Sequence, residues 1–229
     1  MVSRKLPNDN GAMNEQLLTA GAQSFDLELS AHQVAAFGQY LSLLSTWNSR
    51  LNLTAIREPD LVVRLHFLDS ISVTPLLSAN GGLLDIGSGG GFPGIPVKIM
   101  LPDKPVYLVE PRRKRANFLR HVIRELKLGD IQVMECRAGE LSTETLPPIK
   151  ETVTRGFSDA PGFLAASGEV LAADGVAILM HGPKGLAALE DVRSCLPRCG
   201  LAEGESVHFE LPFGDERRTV LTFPRSLSR

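Results

Sequence analysis

The chain has 229 residues, 43% of them hydrophobic, and a formal net charge of −2. That is enough for one sizeable core; no apolar run reaches membrane-spanning length, and a balance this close to neutral does not announce a nucleic-acid binder, because wholesale phosphate neutralisation usually shows as a basic excess. The N-terminal residues lack the apolar stretch of a secretion signal, and Cys136, Cys195 and Cys199 share no metal-ligand spacing with the five histidines, so a soluble cytoplasmic protein with no metal site and no membrane association is expected.

Residues 1–29 read as a flexible lead-in with a short helix around Glu15 to Ala20. From Ser30, a plausible N-cap, the apolar residues Val34, Phe37, Leu41, Leu44 and Trp47 follow a 3.6-residue period and predict a long amphipathic helix to Arg50. Helical stretches over 60–68 and 70–77, with Pro59 and Pro75 at starts or kinks, complete an N-terminal helical unit over 30–80.

From Gly82 the pattern changes to strands alternating with helices, the signature of a doubly wound parallel sheet, and residues 81–229 read as an α/β core packed with the helical unit into one compact domain. Strands are expected at 83–86, 106–110, 131–136, 152–155 and 175–180, with helices at 93–101, 112–128, 158–171 and 185–199 between them. The last two strands, 203–210 and 217–224, flank a Pro-Phe-Gly-Asp turn at Pro212 to Asp215 and predict an antiparallel hairpin.

The first of these strands runs into Asp85-Ile86-Gly87-Ser88-Gly89-Gly90-Gly91-Phe92-Pro93-Gly94. Glycines at 87, 89 and 91 permit positive φ and close approach of backbone N–H groups to a ligand. A dinucleotide fingerprint wants a third glycine or alanine where this chain has Phe92, so the loop points to S-adenosylmethionine (SAM), with NAD and an unliganded turn as competing readings. Glu110 ends the second strand 25 residues after Asp85, where a carboxylate can accept hydrogen bonds from both ribose hydroxyls; the competing reading is an acid offsetting a helix dipole. Small residues at Ala138 and Gly139 offer a surface for a flat ring. Arg155, at the rim of the fourth strand, is a candidate for the cofactor carboxylate or the target base, against a surface salt bridge.

The helix after Glu110 opens with Arg112-Arg113-Lys114-Arg115 and continues the basic stripe through Arg120, Arg124 and Lys127, a candidate RNA surface whose plainer reading is a solvated polar face. His66 and Asp69, three apart on a helix, read as a cap or interhelical bond rather than as catalytic groups.

Three blocks in order, Trp47 to Ile56, His66 to Ser70, and Asp85 to Pro96, together with Lys114 to Arg120, Arg137 to Glu140 and Thr154 to Phe157, resemble the GidB/RsmG family over roughly residues 34 to 224. The resemblance implies a Rossmann-like class I SAM-dependent methyltransferase fold. It implies methylation of guanine N7 in 16S ribosomal RNA of the small ribosomal subunit, and SAM contacts at Gly87, Phe92, Ala138, Gly139 and Arg155. Where the family has Asp-Ser after the second strand this chain has Glu110-Pro111, which keeps the carboxylate. Where many members carry Lys-Gly after the fifth strand it has His181-Gly182, so Lys184 becomes the candidate to supply that charge. Guanine N7 carries a lone pair and no proton, so no catalytic residue acting as general base is expected. Small-molecule methyl transfer and RNA binding without catalysis are the alternatives.

Overall fold

The computed structural model describes residues 13–144, 146–156, 159–182 and 189–226. A seven-stranded sheet has the order β3-β2-β1-β4-β5-β7-β6, formed by β1 (Gly82–Ile86), β2 (Val106–Val109), β3 (Ile131–Met134), β4 (Ile149–Arg155), β5 (Leu171–His181), β6 (Ser206–Glu210) and β7 (Arg217–Pro224). The first five strands pair in parallel; β7 runs antiparallel to β5 and β6. Strand order reverses between β1 and β4, which is the switch point where open α/β sheets leave a crevice beyond the strand ends.

Strand β1 is buried at all five positions because both faces of the sheet are covered. Leu83 faces one apolar cluster with Val106, Leu108, Val153 and Ile178, while Leu84 and Ile86 face a second with Val109, Ala177 and Leu179. The period-2 alternation turns Asp85 toward the first cluster, beneath the loop that follows the strand. That face is covered by α5 (Gly94–Met100), α6 (Arg113–Glu125) and the N-terminal helices; α7 (Ala160–Val170) and α8 (Leu189–Cys195) cover the other.

The helix expected from Ser30 is α2 (Ala31–Leu51), closed by a capping box in which Ser30 Oγ accepts from the Gln33 N–H and Gln33 Oε1 accepts from the Ser30 N–H. Gln33 also donates to the carbonyls of Ile99 and Met100, tying α2 to the end of α5. The stretch read as a flexible lead-in carries α1 (Glu15–Gln23), longer than expected and packed rather than loose. Leu18 and Ala22 are fully buried, and Gly21 is closely covered by Leu68. Its apolar residues are few, so periodicity gave a weak signal, and tertiary burial supplies what the local pattern lacks.

The two helical pieces expected between 60 and 77 form one continuous rod: α3 (Pro59–Val62), a π-helical stretch over Val63–Leu68, and α4 (Asp69–Ile71), followed by a 3₁₀ turn over Thr74–Leu76. The π stretch carries Arg64 and His66. Phe37, Tyr40 and Phe67 are fully buried and meet Phe92 in a chain of ring contacts between 5.1 and 6.3 Å, so the helical unit and the glycine loop share one core. Each such ring contributes about 1.5–3 kcal/mol on burial. Among the described residues no helix is long and apolar enough to cross a membrane.

Candidate functional site

The glycine loop leaves β1 at its C-terminal end. Gly87, Gly89 and Gly91 take φ of 81°, 57° and 98°, the positive values expected of them. Gly91 is further constrained by space: a Cβ there would lie 2.6 Å from the Tyr40 hydroxyl, which reaches in from α2 and donates to the Gly90 carbonyl at 2.5 Å.

Asp85 lies fully buried beneath this loop. Its Oδ2 accepts from the Gly94 N–H at 3.0 Å, and its Oδ1 has no partner among the described residues. Burial raises the carboxyl to about 7, an effect only partly offset by the Gly94 hydrogen bond. Asp85 therefore anchors the turn into α5 from below, with one oxygen still able to accept. Glu110 braces it from the side: Oε2 accepts from the Gly89 N–H at 3.0 Å and Oε1 from the Arg112 N–H at 2.8 Å. Asp85 and Glu110, expected from their spacing to serve the cofactor, both bond the glycine loop and its continuation, which lies between them.

Beyond the strand ends lies a cavity of about 610 Å³ lined by Ile86, Gly87, Val109, Pro111, Arg137, Ala138, Gly139 and Leu141 on one side and by Asp159, Gly162, Ala165, Ala166 and Glu169 of α7 on the other. The size falls within the ordinary range for small-ligand sites, and apolar walls with a few polar groups suit an adenosine-like ligand. Of the expected cofactor residues, Gly87, Ala138 and Gly139 line it directly. Gly139 has open space where a Cβ would stand. Asp85, Gly89, Gly91, Phe92, Glu110 and Arg155 sit behind or beside the lining.

The contribution of α7 was missed from sequence, although Gly162, Ala165 and Ala166 at three-to-four spacing form a face of small residues that could have signalled close approach. Asp159 caps that helix by accepting from the Gly162 N–H.

Arg155 is partly buried and committed to the helical unit. Nη1 donates to the Leu65 carbonyl at 2.8 Å and to Asp69 Oδ2 at 3.2 Å, Nη2 donates to His66 Nδ1 at 2.9 Å, and the guanidinium lies 4.9 Å from the Phe92 ring centre. His66 stacks on the other partner of this contact, Phe92, at 4.5 Å. Burial, then the Arg155 charge, lowers the imidazole to about 3, so it is neutral. With Nδ1 accepting from Arg155, the proton sits on Nε2, which donates to Thr54 Oγ1 at 2.7 Å. Asp69 Oδ1 accepts from Arg218 Nε at 3.0 Å, and Arg64 of the π stretch pairs with Glu216. These bonds fix the helical unit on the sheet, as expected of His66 and Asp69, but their partners are strand and loop residues rather than another helix.

The basic residues divide into two sets. Arg120 pairs with Glu135 and Arg124 with Glu125, whereas Arg112, Arg113, Lys114 and Arg115 gather at the start of α6 around a smaller cavity of about 330 Å³. His181 ends β5 with Nε2 unpartnered among the described residues, and burial lowers its imidazole. Lys184 lies outside the described residues.

Residues 33–210 match the family profile described as rRNA small subunit methyltransferase G. The ribosomal RNA small subunit methyltransferase G of Geotalea uraniireducens is 38% identical over 213 residues, covering 91% of this chain and 97% of the relative. That of Syntrophus aciditrophicus is 37% identical, covering 98% and 95%. Among solved structures, a SAM-dependent methyltransferase from Aquifex aeolicus superposes with a TM-score of 0.56 at 16% identity, covering 72% of this chain and 93% of that one. The M. jannaschii TYW2 in complex with AdoMet does so with 0.55 at 17%, covering 69% and 74%. The structural likenesses establish a class I methyltransferase fold, and with the sequence match over most of the length they show that this chain belongs to the rRNA small subunit methyltransferase G family.

Proposed function

We propose that this chain transfers a methyl group from SAM to N7 of a guanine in 16S ribosomal RNA of the small ribosomal subunit, in the cytoplasm. The observation that carries the reading is the 610 Å³ cavity opening beside a positive-φ glycine loop at the sheet's switch point, in a chain of this family. The residues fit the cofactor. The small residues Ala138, Gly139, Gly162, Ala165 and Ala166 leave room for a flat ring, and Glu110 follows β2 where ribose hydroxyls would lie. When bound, SAM supplies an electrophilic methyl group.

The protein's own share is positioning. Guanine N7 has an in-plane lone pair and no proton, so the chain has no proton to remove, and alignment with water excluded can supply about 7–11 kcal/mol in favourable cases. Tyr40, His66 and Arg155 hold Phe92 and the glycine loop in one geometry. Their polar groups are spent on that task, and neutral His66, its Nδ1 already accepting from Arg155, is not free to act as a base. A donor that reads the guanine has to bind O6 and leave N7 open, because a forked arginine on both atoms would occupy the nucleophile's lone pair.

The test is incubation with methyl-labelled SAM and small ribosomal subunits from cells lacking this methylation, followed by separation of RNA from protein. Label in 16S RNA is expected. Label confined to ribosomal proteins, or transferred only to free metabolites, would refute the reading.

A further inference from the structure

The cations at the start of α6 are arranged against the needs of the helix. Four successive basic residues occupy its N-cap and first turn, there is no acid in that turn, and no side chain caps the first N–H groups. Positive charge at the positive end of a helix dipole is unfavourable, and like charges crowd one another there. Arg50, in the last turn of α2 and distant in sequence, adds a fifth cation. Arg50, Arg112, Arg113, Lys114 and Arg115 line one cavity of about 330 Å³, with Leu51 as its apolar wall.

Among the described residues no carboxylate lies within ion-pairing distance of any of the five; Arg57, Arg137 and Arg198 also have none but stand apart, whereas these five gather around one cavity. These side chains face solvent without an ion-pair partner among the described residues, and an anion seated in the cavity would give them one. SAM has no phosphate group to offer.

The position of the cavity favours a polyanion entering with the substrate. Pro111 lines the cofactor cavity and Arg112 the cationic one, so adjacent residues wall the two spaces. Glu110 binds the N–H groups of both Gly89 and Arg112, fixing the cation cluster to the glycine loop. Arg115 Nη1 comes within 3.9 Å of the position a Cβ would take on Gly89.

We infer that the cavity between Arg50 and the start of α6 is a phosphate-binding site that seats a backbone phosphate of the substrate RNA beside the methyl-transfer site. The inference rests on the reading of this chain as an RNA methyltransferase. It assigns a distinct role to Arg50, which joins the helical unit to the core in gripping RNA, and a lesser one to the ion-paired Arg120 and Arg124.

The test compares the wild-type chain, the double variant R50A/R113A and the control R120A/R124A for binding to unmethylated small ribosomal subunits between about 50 and 200 mM KCl at fixed magnesium. Arg50 and Arg113 are chosen because Arg115 reaches the glycine loop. SAM affinity by calorimetry reports folding and the cofactor site, and it should be unchanged in both variants. The double variant should bind subunits about 10-fold or more weakly, with the slope of log Kd against log salt reduced by about one, the value of one lost phosphate contact. The control should keep the wild-type slope. An unchanged slope in R50A/R113A, an equal change in R120A/R124A, or salt-independent binding by the wild type would overturn the site. Binding is read without catalysis. A wild-type chain that binds subunits through these arginines yet transfers no methyl group would refute the proposed function and leave the phosphate site standing.

Discussion

At the residue scale, the two carboxylates at the strand ends both hold backbone N–H groups around the glycine loop. Glu110 uses both oxygens on backbone N–H groups, so Glu110→Gln replaces one acceptor by an NH₂ that faces another donor. Charged hydrogen bonds of this kind are worth about 1.5–3 kcal/mol to the folded chain, so the variant should lose stability of that order in denaturant titrations, and SAM binding in calorimetry should weaken as the glycine loop loosens. Asp85 offers a pH signature. Its folded pKa, about 7, lies above its unfolded value near 3.9, so its contribution to stability is fully present below the unfolded value and is lost as pH rises through about 7. Asp85→Asn keeps an acceptor for the Gly94 N–H and cannot ionise. The variant should therefore lose less stability than the wild type between pH 5 and 8 in denaturant titrations; identical pH profiles would show that Asp85 does not titrate in this window.

At the scale of elements, Asp69 joins three of them. It accepts from Arg155 of β4 and Arg218 of β7 while sitting in α4, and it is only 4% exposed. Breaking a buried pair by removing one partner costs about 3–5 kcal/mol, so Asp69→Asn should lower the thermal midpoint markedly. Because Arg155 also holds His66 against Phe92, SAM affinity should fall with it. Gly168 tests the opposite face: an added Cβ would lie 2.1 Å from the Cys199 carbonyl, a backbone atom, and Gly168→Ala should destabilise by about 1–3 kcal/mol without altering SAM binding per folded molecule.

Legibility of the sequence also varied by element. The parallel strands and the hairpin were readable because apolar runs bounded by Gly and Pro leave few alternatives, and the glycine loop because positive φ at 87, 89 and 91 restricts those positions to glycine. Helix α1 was underrated because its stability comes from burial of Leu18 and Ala22, which local periodicity does not report. Arg155 was read at the correct rim but toward the ligand. Its partners, Leu65, His66 and Asp69, come from a π-helical stretch and its continuation, and no spacing rule anticipates that turn of the chain. The cluster of Arg50 with the start of α6 was half visible: the basic run stands out in sequence, and the distant arginine does not.

On the scale of the whole molecule, the mild net negative charge and the local basic cavity are compatible, since one seated phosphate needs a concentrated cluster rather than a basic protein. The helical unit bonds the glycine loop through Tyr40 and lines the cationic cavity through Arg50. Guanine N7, the proposed methyl acceptor, is an atom that needs no deprotonation. The most direct measurement is identification, by mass spectrometry of digested 16S RNA, of the nucleoside that carries label from methyl-labelled SAM after incubation with unmethylated small subunits. The expected product is 7-methylguanosine at a single position. Label on an exocyclic nitrogen, a ribose oxygen or a pyrimidine carbon would contradict it.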